Sequence, residues 1–137
     1  MGTQKIIITD HLHECLTEEI ELLKPDKIFI LTDSTTHEAC YPLIKDHPLL
    51  GEANISTIPA GDENKSIQSL MFVWKSLSSF GASRKSLLIN IGGGMISDLG
   101  AFAAATFKRG MRCINIPTTL LSMVDASLGG KTGINFN

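Results

Sequence analysis

The chain has 137 residues, about one domain, and its 43% hydrophobic content is enough to fill a globular core. A formal net charge of −2 without a block of basic residues argues against nucleic acid as the main partner. No apolar run approaches the ~20 residues of a transmembrane helix, and residues 1–5 do not resemble a signal peptide. We therefore expect a cytoplasmic protein with no membrane partner.

Short apolar runs alternate with helical patterns along the chain. Continuously apolar or β-branched runs predict strands over residues 5–9, 27–32, 55–59, 86–91 and 111–116. Apolar residues at three- and four-residue steps predict helices over residues 12–23, 66–80 and 95–107, and shorter ones over 37–45 and 118–124. Pro42 weakens the pattern over 37–45, and beyond Leu128 the glycines leave no regular period.

The side chains inside these elements predict a core. The pattern over residues 66–80 is the clearest helix, and we expect its apolar stripe to face the core: Ile67, Leu70, Met71, Trp74, Leu77 and Phe80. The three cysteines are widely spaced and odd in number, which predicts buried thiols in a reducing compartment: Cys15, Cys40 and Cys113. No metal site is predicted from the histidines.

The alternation of strands and helices predicts an α/β fold. We expect a Rossmann-like, doubly wound and mostly parallel sheet with helices on both faces. Ligands of such sheets bind beyond the carboxyl ends of the strands. The segments that directly follow strands should therefore gather along one edge: Asp33, residues 61–65, Gly92–Gly94 and Thr118–Thr119.

The most informative stretch is residues 87–135, which read LLINIGGGMISDLGAFAAATFKRGMRCINIPTTLLSMVDASLGGKTGIN. Glycines between a strand and a helix let backbone N–H groups approach a phosphate at the positive end of the helix, although they also serve tight turns. The order differs from the dinucleotide fingerprint, because the acid Asp33 precedes the glycines. Asp98 is favoured by the helix dipole and can also bind a sugar hydroxyl. These residues predict a nucleotide- or phosphate-binding α/β domain.

Three downstream features each have two interpretations. Lys108 and Arg109 suit either a solvated helix end or an anionic ligand. Thr118–Thr119 provides hydroxyls for a ligand or a helix N-cap. Asp125 and Lys131 flank a pair of glycines and can form one polar pocket.

Taken together, the segments GGGMISDLGAFAAATFKRG and IPTTLLSMVDASLGGKTGIN resemble the 3-dehydroquinate synthase family, in order and closely. The upstream TDS and GDENKS segments also lie where this family has its corresponding motifs. Glycerol dehydrogenases and iron-dependent alcohol dehydrogenases share the glycine turn and the acid. They lack the PTTLL, VD and GGKTGIN continuation that is typical of sugar-phosphate cyclases.

The resemblance implies a set of residues that bind NAD. Asp33 is expected to hold the adenosine ribose, and Asp62, with Glu63 beside it, stands at the position of the family's loop glutamate. Further cofactor contacts are implied for Gly61, Lys65, Gly93, Gly94, Asp98, Thr118, Thr119, Leu121 and Lys131.

The resemblance also implies how the substrate is held. Asp125 is expected near the cyclohexyl substrate and the nicotinamide, and Lys131 near the substrate phosphate. Arg109 corresponds to an arginine that reaches the neighbouring subunit's phosphate site, which implies a homodimer. The implied reaction converts 3-deoxy-D-arabino-heptulosonate 7-phosphate to 3-dehydroquinate and phosphate, in the shikimate pathway to aromatic amino acids. It uses NAD and a divalent metal, zinc or cobalt.

In this family the metal ligands, one Glu and two His, lie in a helical second domain. We therefore expect residues 1–137 to be an N-terminal NAD-binding domain that folds, binds NAD weakly and has no cyclase activity alone. Leu120, Leu121 and Met123 are expected to add apolar surface towards the missing domain. The alternatives are another sugar-phosphate cyclase, a metal-dependent polyol dehydrogenase, or a stand-alone nucleotide-binding module without catalytic activity.

Overall fold

A computed structural model describes the backbone of residues 5–9, 12–117 and 132–136 and the side chains of residues 12–117. Within these residues, six strands form one sheet in the order β1-β6-β5-β4-β2-β3. The strands are β1 Lys5–Thr9, β2 Ile28–Asp33, β3 Asn54–Ile58, β4 Leu87–Gly92, β5 Arg112–Pro117 and β6 Thr132–Phe136. β2, β3, β4 and β5 are parallel, which confirms the predicted α/β class.

The described residues form four α-helices: α1 Leu12–Leu23, α2 Ser34–Ala39, α3 Ile67–Ser79 and α4 Gly94–Thr106. α1 precedes β2, and the other three connect the parallel strands. Apolar side chains form a core on each face of the sheet. One core joins α1 and the segment after α2 to the sheet, through residues such as Leu16, Ile44 and Ile89. The other joins α3 and α4 to it, through residues such as Val73 and Ile96. Helices on both faces are thus confirmed, and all three cysteines are buried.

Two short elements differ from the sequence predictions. The helix expected over residues 37–45 begins earlier, at Ser34, because Asp33 caps it. It ends at Ala39, and Pro42 lies in a separate 3-10 turn, Tyr41–Leu43, since proline has no N–H to continue the hydrogen bonds of an α-helix. The helix predicted over 118–124 and the apolar surface at Leu120, Leu121 and Met123 lie outside the described residues.

Strand β6 was not predicted, because the glycine-rich sequence beyond Leu128 has no strand period. It runs antiparallel between β1 and β5, with Lys5 opposite Phe136 and Thr9 opposite Thr132. Its partner β1 comes from the other end of the chain, so local sequence gives no signal for the pairing.

The prediction that the whole α3 stripe faces the core was wrong. Val73 and Leu77 are buried, whereas Ile67 is 71% exposed, Met71 59% and Phe80 56%. Trp74 lies half-buried at the edge of the core, and its Nε1 donates to Thr106 Oγ1 at 3.0 Å. The periodicity gave the direction of the buried face and overestimated its width.

No helix among the described residues is long and apolar enough to cross a membrane.

A close contact fixes α4 on the sheet. Gly100 packs directly against the buried amide of Asn90, in a space that a Cβ would fill. Asn90 lies opposite Asn115 in the neighbouring strand, and its Nδ2 donates to Asn115 Oδ1 at 2.9 Å. Because Asn90 is two residues before Gly92, this contact also positions the glycine turn at the start of α4.

Candidate functional site

The segments after β2, β3 and β4 meet at the carboxyl edge of the sheet, as predicted. Ala60 N–H, after β3, donates to Ser34 Oγ, after β2, at 3.0 Å. Thr36 Oγ1 donates to the carbonyl of Ile91 in β4 at 2.9 Å. Sequence reasoning missed Ser34 and Thr36, although both lie in the polar run directly after β2. Their hydroxyls join three separate segments into one surface.

Asp33 forms the cap of α2 and keeps one oxygen available. Its Oδ1 accepts from Thr35 N–H at 2.9 Å and from Thr36 N–H at 2.8 Å. Its own N–H donates to Thr36 Oγ1 at 2.9 Å, which completes a capping box. Among the hydrogen bonds of residues 12–117, none involves Oδ2. Asp33 can therefore cap its helix and accept a ligand hydroxyl at the same time.

Gly92, Gly93 and Gly94 differ in the space that is available for a side chain. At Gly92 a Cβ would lie 2.6 Å from Ile96 Cβ, so packing within the protein requires glycine. At Gly93 and Gly94 a Cβ would meet nothing within 4 Å, and Gly93 has an ordinary extended conformation at φ −82. The protein fold alone therefore requires glycine only at the first position.

The open space at Gly93 and Gly94 lies at the N-terminus of α4. No side chain caps this 13-residue helix. The first N–H groups of a helix have no partner within the helix and carry its positive dipole end. The turn therefore offers an open cradle for an anionic group such as a phosphate.

Lys65 and Asp98 connect the loop after β3 to the first turns of α4. Lys65 Nζ donates to Asp98 Oδ2 at 2.7 Å, and both side chains are exposed. This hydrogen bond, helped by the negative charges of Asp98 and Asp62, raises the pKa of Lys65 above its ordinary value. The ammonium therefore stays charged beside the cradle.

Gly61, Asp62 and Glu63 begin the same loop. Gly61 has φ +115, and the Glu63 carboxylate lies over it, 2.5 Å from where a Cβ would stand. Asp62 acts electrostatically on Lys65, whereas Glu63 folds back over Gly61. Glu63 is thus engaged locally at Gly61, while Asp62 acts on Lys65 through its charge.

A groove of about 320 Å³ opens beside the ion pair. Apolar side chains form much of its wall, and Lys65 and Asp98 form its polar end. The full lining is Lys65, Ser66, Ile67, Leu70, Asp98, Leu99 and Phe102. Within residues 12–117 no group of three His, Cys, Asp or Glu side chains could hold a metal ion.

Arg109 does not join this site. It follows α4, whose 13 residues span about 20 Å, and so lies at the opposite, amino edge of the sheet. Its side chain is exposed. The other predicted site residues, Thr118, Thr119, Leu121, Asp125 and Lys131, lie outside the described residues.

Known proteins resemble this chain in sequence and in fold. The family described as 3-dehydroquinate synthase N-terminal matches residues 55–137. The chain belongs to the 3-dehydroquinate synthase family. The resemblance in residues 87–135 is thereby confirmed.

Relatives in the family match along most of the chain. The 3-dehydroquinate synthase of Parabacteroides distasonis is 56% identical over 137 residues, which are 100% of this chain and 39% of that protein. The 3-dehydroquinate synthase of Pyrococcus abyssi is 45% identical over 118 residues, 86% of this chain and 35% of that protein. The chain thus spans less than half the length of these family members.

A solved structure of 2-deoxy-scyllo-inosose synthase, complexed with carbaglucose-6-phosphate, NAD+ and Co2+, has the same fold as this chain. The TM-score is 0.72 at 21% identity, over 85% of this chain and 35% of the other. At this identity the likeness concerns the fold alone.

Proposed function

We propose that this chain is the NAD-binding N-terminal domain of a cytoplasmic 3-dehydroquinate synthase. The whole enzyme would convert 3-deoxy-D-arabino-heptulosonate 7-phosphate to 3-dehydroquinate and phosphate, in the shikimate pathway to aromatic amino acids. One observation carries the proposal: Asp33, the open Gly93–Gly94 cradle and the Lys65–Asp98 pair meet at one edge of the sheet, in a chain of this family.

The described residues suit the parts of a dinucleotide. The N–H groups at Gly93 and Gly94 would bind the pyrophosphate, and Asp33 Oδ2 would accept from a ribose hydroxyl. Lys65 and Asp98 would hold the nicotinamide side, with Gly61 and Asp62 shaping the loop. Bound NAD supplies a transient hydride acceptor for the substrate. From the family motifs, Thr118, Thr119, Leu121 and Lys131 are proposed as further contacts.

The substrate would be held by charged side chains of this chain and by a second domain. Asp125 would lie near the reacting carbon, and Lys131 would neutralise the substrate phosphate. A helical domain absent from these 137 residues would supply the ligands of a divalent zinc or cobalt ion. The neighbour 2-deoxy-scyllo-inosose synthase, whose structure contains NAD+ and Co2+, supports this composition.

Arg109 would serve the phosphate site of a neighbouring subunit in a homodimer. Its position about 20 Å along α4 from the cradle supports a role in trans, because one side chain cannot cover that distance.

The Gly93→Ser variant tests cofactor binding in the 137-residue chain. Serine is a better N-cap than glycine by a few tenths of a kcal/mol, so the melting temperature without ligand should stay equal or rise. The same hydroxyl would occupy the N–H groups meant for the pyrophosphate. NAD should therefore raise the melting temperature of the parent chain and raise that of the variant less.

Gly51→Ser is the matched control, since a Cβ at Gly51 also meets nothing within 4 Å and Gly51 precedes β3, at the other edge. Its response to NAD should equal that of the parent chain. An absent response in the parent chain, or a full response in Gly93→Ser, would contradict the proposed cradle.

An activity assay separates the alternatives. The two-domain protein should release phosphate from the heptulosonate phosphate without net NADH, and the 137-residue chain alone should not. Turnover of a different sugar phosphate would indicate another cyclase. NADH accumulation from a polyol would indicate a dehydrogenase, and full NAD affinity with no effect of the second domain would indicate a stand-alone module.

A further inference from the structure

The turn that carries Arg109 has an unusual backbone. Lys108 has φ 44, Arg109 φ 71 and Gly110 φ 108, three left-handed residues in a row. Residues other than glycine rarely adopt this conformation, and it persists only where the surrounding structure enforces it. Such strain is concentrated at functional sites.

The backbone on both sides of the turn is fixed. Phe107 N–H donates to the carbonyl of Ala103, and Met111 N–H to that of Ala104 at 2.7 Å. Gly110 N–H donates to the Phe107 carbonyl, also at 2.7 Å. Phe107 and Met111 are both buried. The chain therefore enters and leaves the turn at fixed points, with Lys108 and Arg109 between them.

The two adjacent cations in the turn have different surroundings. Lys108 Nζ donates to the carbonyl of Ala82 at 3.4 Å and lies 5.6 Å from the centre of the Phe107 ring. Arg109 is exposed, and within residues 12–117 its guanidinium has no hydrogen-bond or ion-pair partner. The Lys108 side chain thus connects the turn to the rest of the protein, whereas the Arg109 guanidinium is available to bind a ligand.

The neighbouring surface favours an anion. A hollow of about 590 Å³ directly after the turn is lined by Arg84, Lys85, Gly110, Met111 and Arg112. It contains three cations and no carboxylate. Arg112 Nη2 is itself held by the Lys85 carbonyl at 3.1 Å. An acidic or phosphate group approaching Arg109 therefore meets no charge of its own sign among these residues.

We infer that Lys108 is a positioning residue for Arg109. Its tether to Ala82 and its left-handed backbone orient the guanidinium before an anionic substrate group arrives, so that less side-chain freedom is lost on binding. This inference rests on the proposed function, in which Arg109 meets the phosphate of the substrate held by a neighbouring subunit.

The Lys108→Gly variant of the two-domain enzyme tests this role. Glycine adopts the same backbone without strain but loses the tether, so the fold should be kept while Arg109 gains freedom. We expect KM for the phosphate substrate to rise roughly three- to tenfold, the effect of freeing one side chain. NAD affinity and melting temperature should not fall.

A double variant separates positioning from general damage. If Lys108 acts only through Arg109, Lys108→Gly combined with Arg109→Ala should have the same KM as Arg109→Ala alone. Lys108→Met, which keeps the length and loses the charge, should also raise KM and covers the case in which the glycine variant fails to fold.

Lys24→Gly is the matched control. Lys24 also has a left-handed backbone, at φ 48, and closes α1 by donating from its N–H to the Ile20 carbonyl. No arginine follows it, so KM should not change. An unchanged KM in both Lys108 variants, additive effects in the double variant, or an equal rise in Lys24→Gly would overturn the inference. Absence of cyclase activity in the parent enzyme would instead refute the proposed function.

Discussion

Asp26 ties the beginning of β2 to the loop before β4. Its carboxylate accepts from Ser83 Oγ at 2.5 Å and from Ser86 Oγ at 2.6 Å. These two hydrogen bonds hold the pKa of Asp26 below its ordinary value, against a small opposing effect of burial. The charged form is therefore the one that the folded state favours.

Asp26→Asn should consequently lower the free energy of unfolding at pH 7. The loss should be about 0.5–1 kcal/mol, because the carboxylate is exposed and solvent screens it. A lowered pKa stabilises the fold above the unfolded-state value of about 3.9, and this contribution disappears as the pH falls through the folded-state pKa. Urea unfolding of the parent chain and of Asp26→Asn at several pH values should show that their difference in free energy of unfolding becomes smaller at acidic pH.

Asp46→Asn provides the comparison for Asp26. Asp46 is also exposed. Its replacement should leave the free energy of unfolding nearly unchanged at every pH. A difference for Asp26→Asn that stays constant from neutral to acid pH would be inconsistent with the role of the carboxylate.

At the level of elements, the packing of helix α4 on the sheet depends on the absence of a side chain at Gly100. Alanine normally stabilises a helix relative to glycine by about 1 kcal/mol. At Gly100 the sign should reverse, because the added Cβ would overlap the Asn90 amide, which is buried between β4 and α4. We expect Gly100→Ala to lose about 1–3 kcal/mol in urea unfolding.

Gly94→Ala tests the same substitution in the same helix, where the Cβ meets open space. Measured without NAD, it should be neutral or slightly stabilising. If both variants lost stability equally, the cause would lie in helix α4 as a whole and not in the Asn90 contact.

Some elements of this fold can be predicted from local sequence, and others cannot. β2 and β4 were predicted because each is a continuous apolar run that is buried by its own composition. β6 was missed because its identity depends on pairing with β1, at the other end of the chain. The stripe of α3 was overestimated because periodicity does not record how much of a helix its neighbours cover.

The candidate site was predicted mainly through family resemblance. The pattern alone placed Asp33 and the glycines after strands, and it left their roles open. The pairing of Lys65 with Asp98, and the position of the Glu63 carboxylate over Gly61, depend on the conformation and meeting of loops from different strands. The difference between Gly92 and its two neighbours depends on packing around each glycine, which only the structure reveals.

Across the whole molecule, exposed apolar side chains of α3 and α4 lie on the face of the sheet that carries the groove, and Ile67 and Phe102 line it. Ile67 is 71% exposed, Met71 59% and Phe102 48%. An exposed patch of this kind promotes association. Met71→Lys should therefore reduce self-association of the 137-residue chain in sedimentation experiments, with the melting temperature nearly unchanged.

Leu22→Lys is the comparison for this patch. Leu22 is 69% exposed on α1, on the other face of the sheet. Its replacement should leave association unchanged. Equal effects of the two lysines would indicate that added charge, and not the patch, controls association.

The pairing of β1 with β6 has a consequence for how the molecule is made. On the ribosome, β1 emerges early, with three consecutive isoleucines, and its sheet neighbour is synthesised more than a hundred residues later. At typical elongation rates this interval is on the order of ten seconds. During it, the parallel strands β2 to β5 can assemble, while an apolar segment of high strand propensity waits without its partner. Until translation reaches Phe136, the nascent chain therefore presents an unpaired strand edge to other molecules.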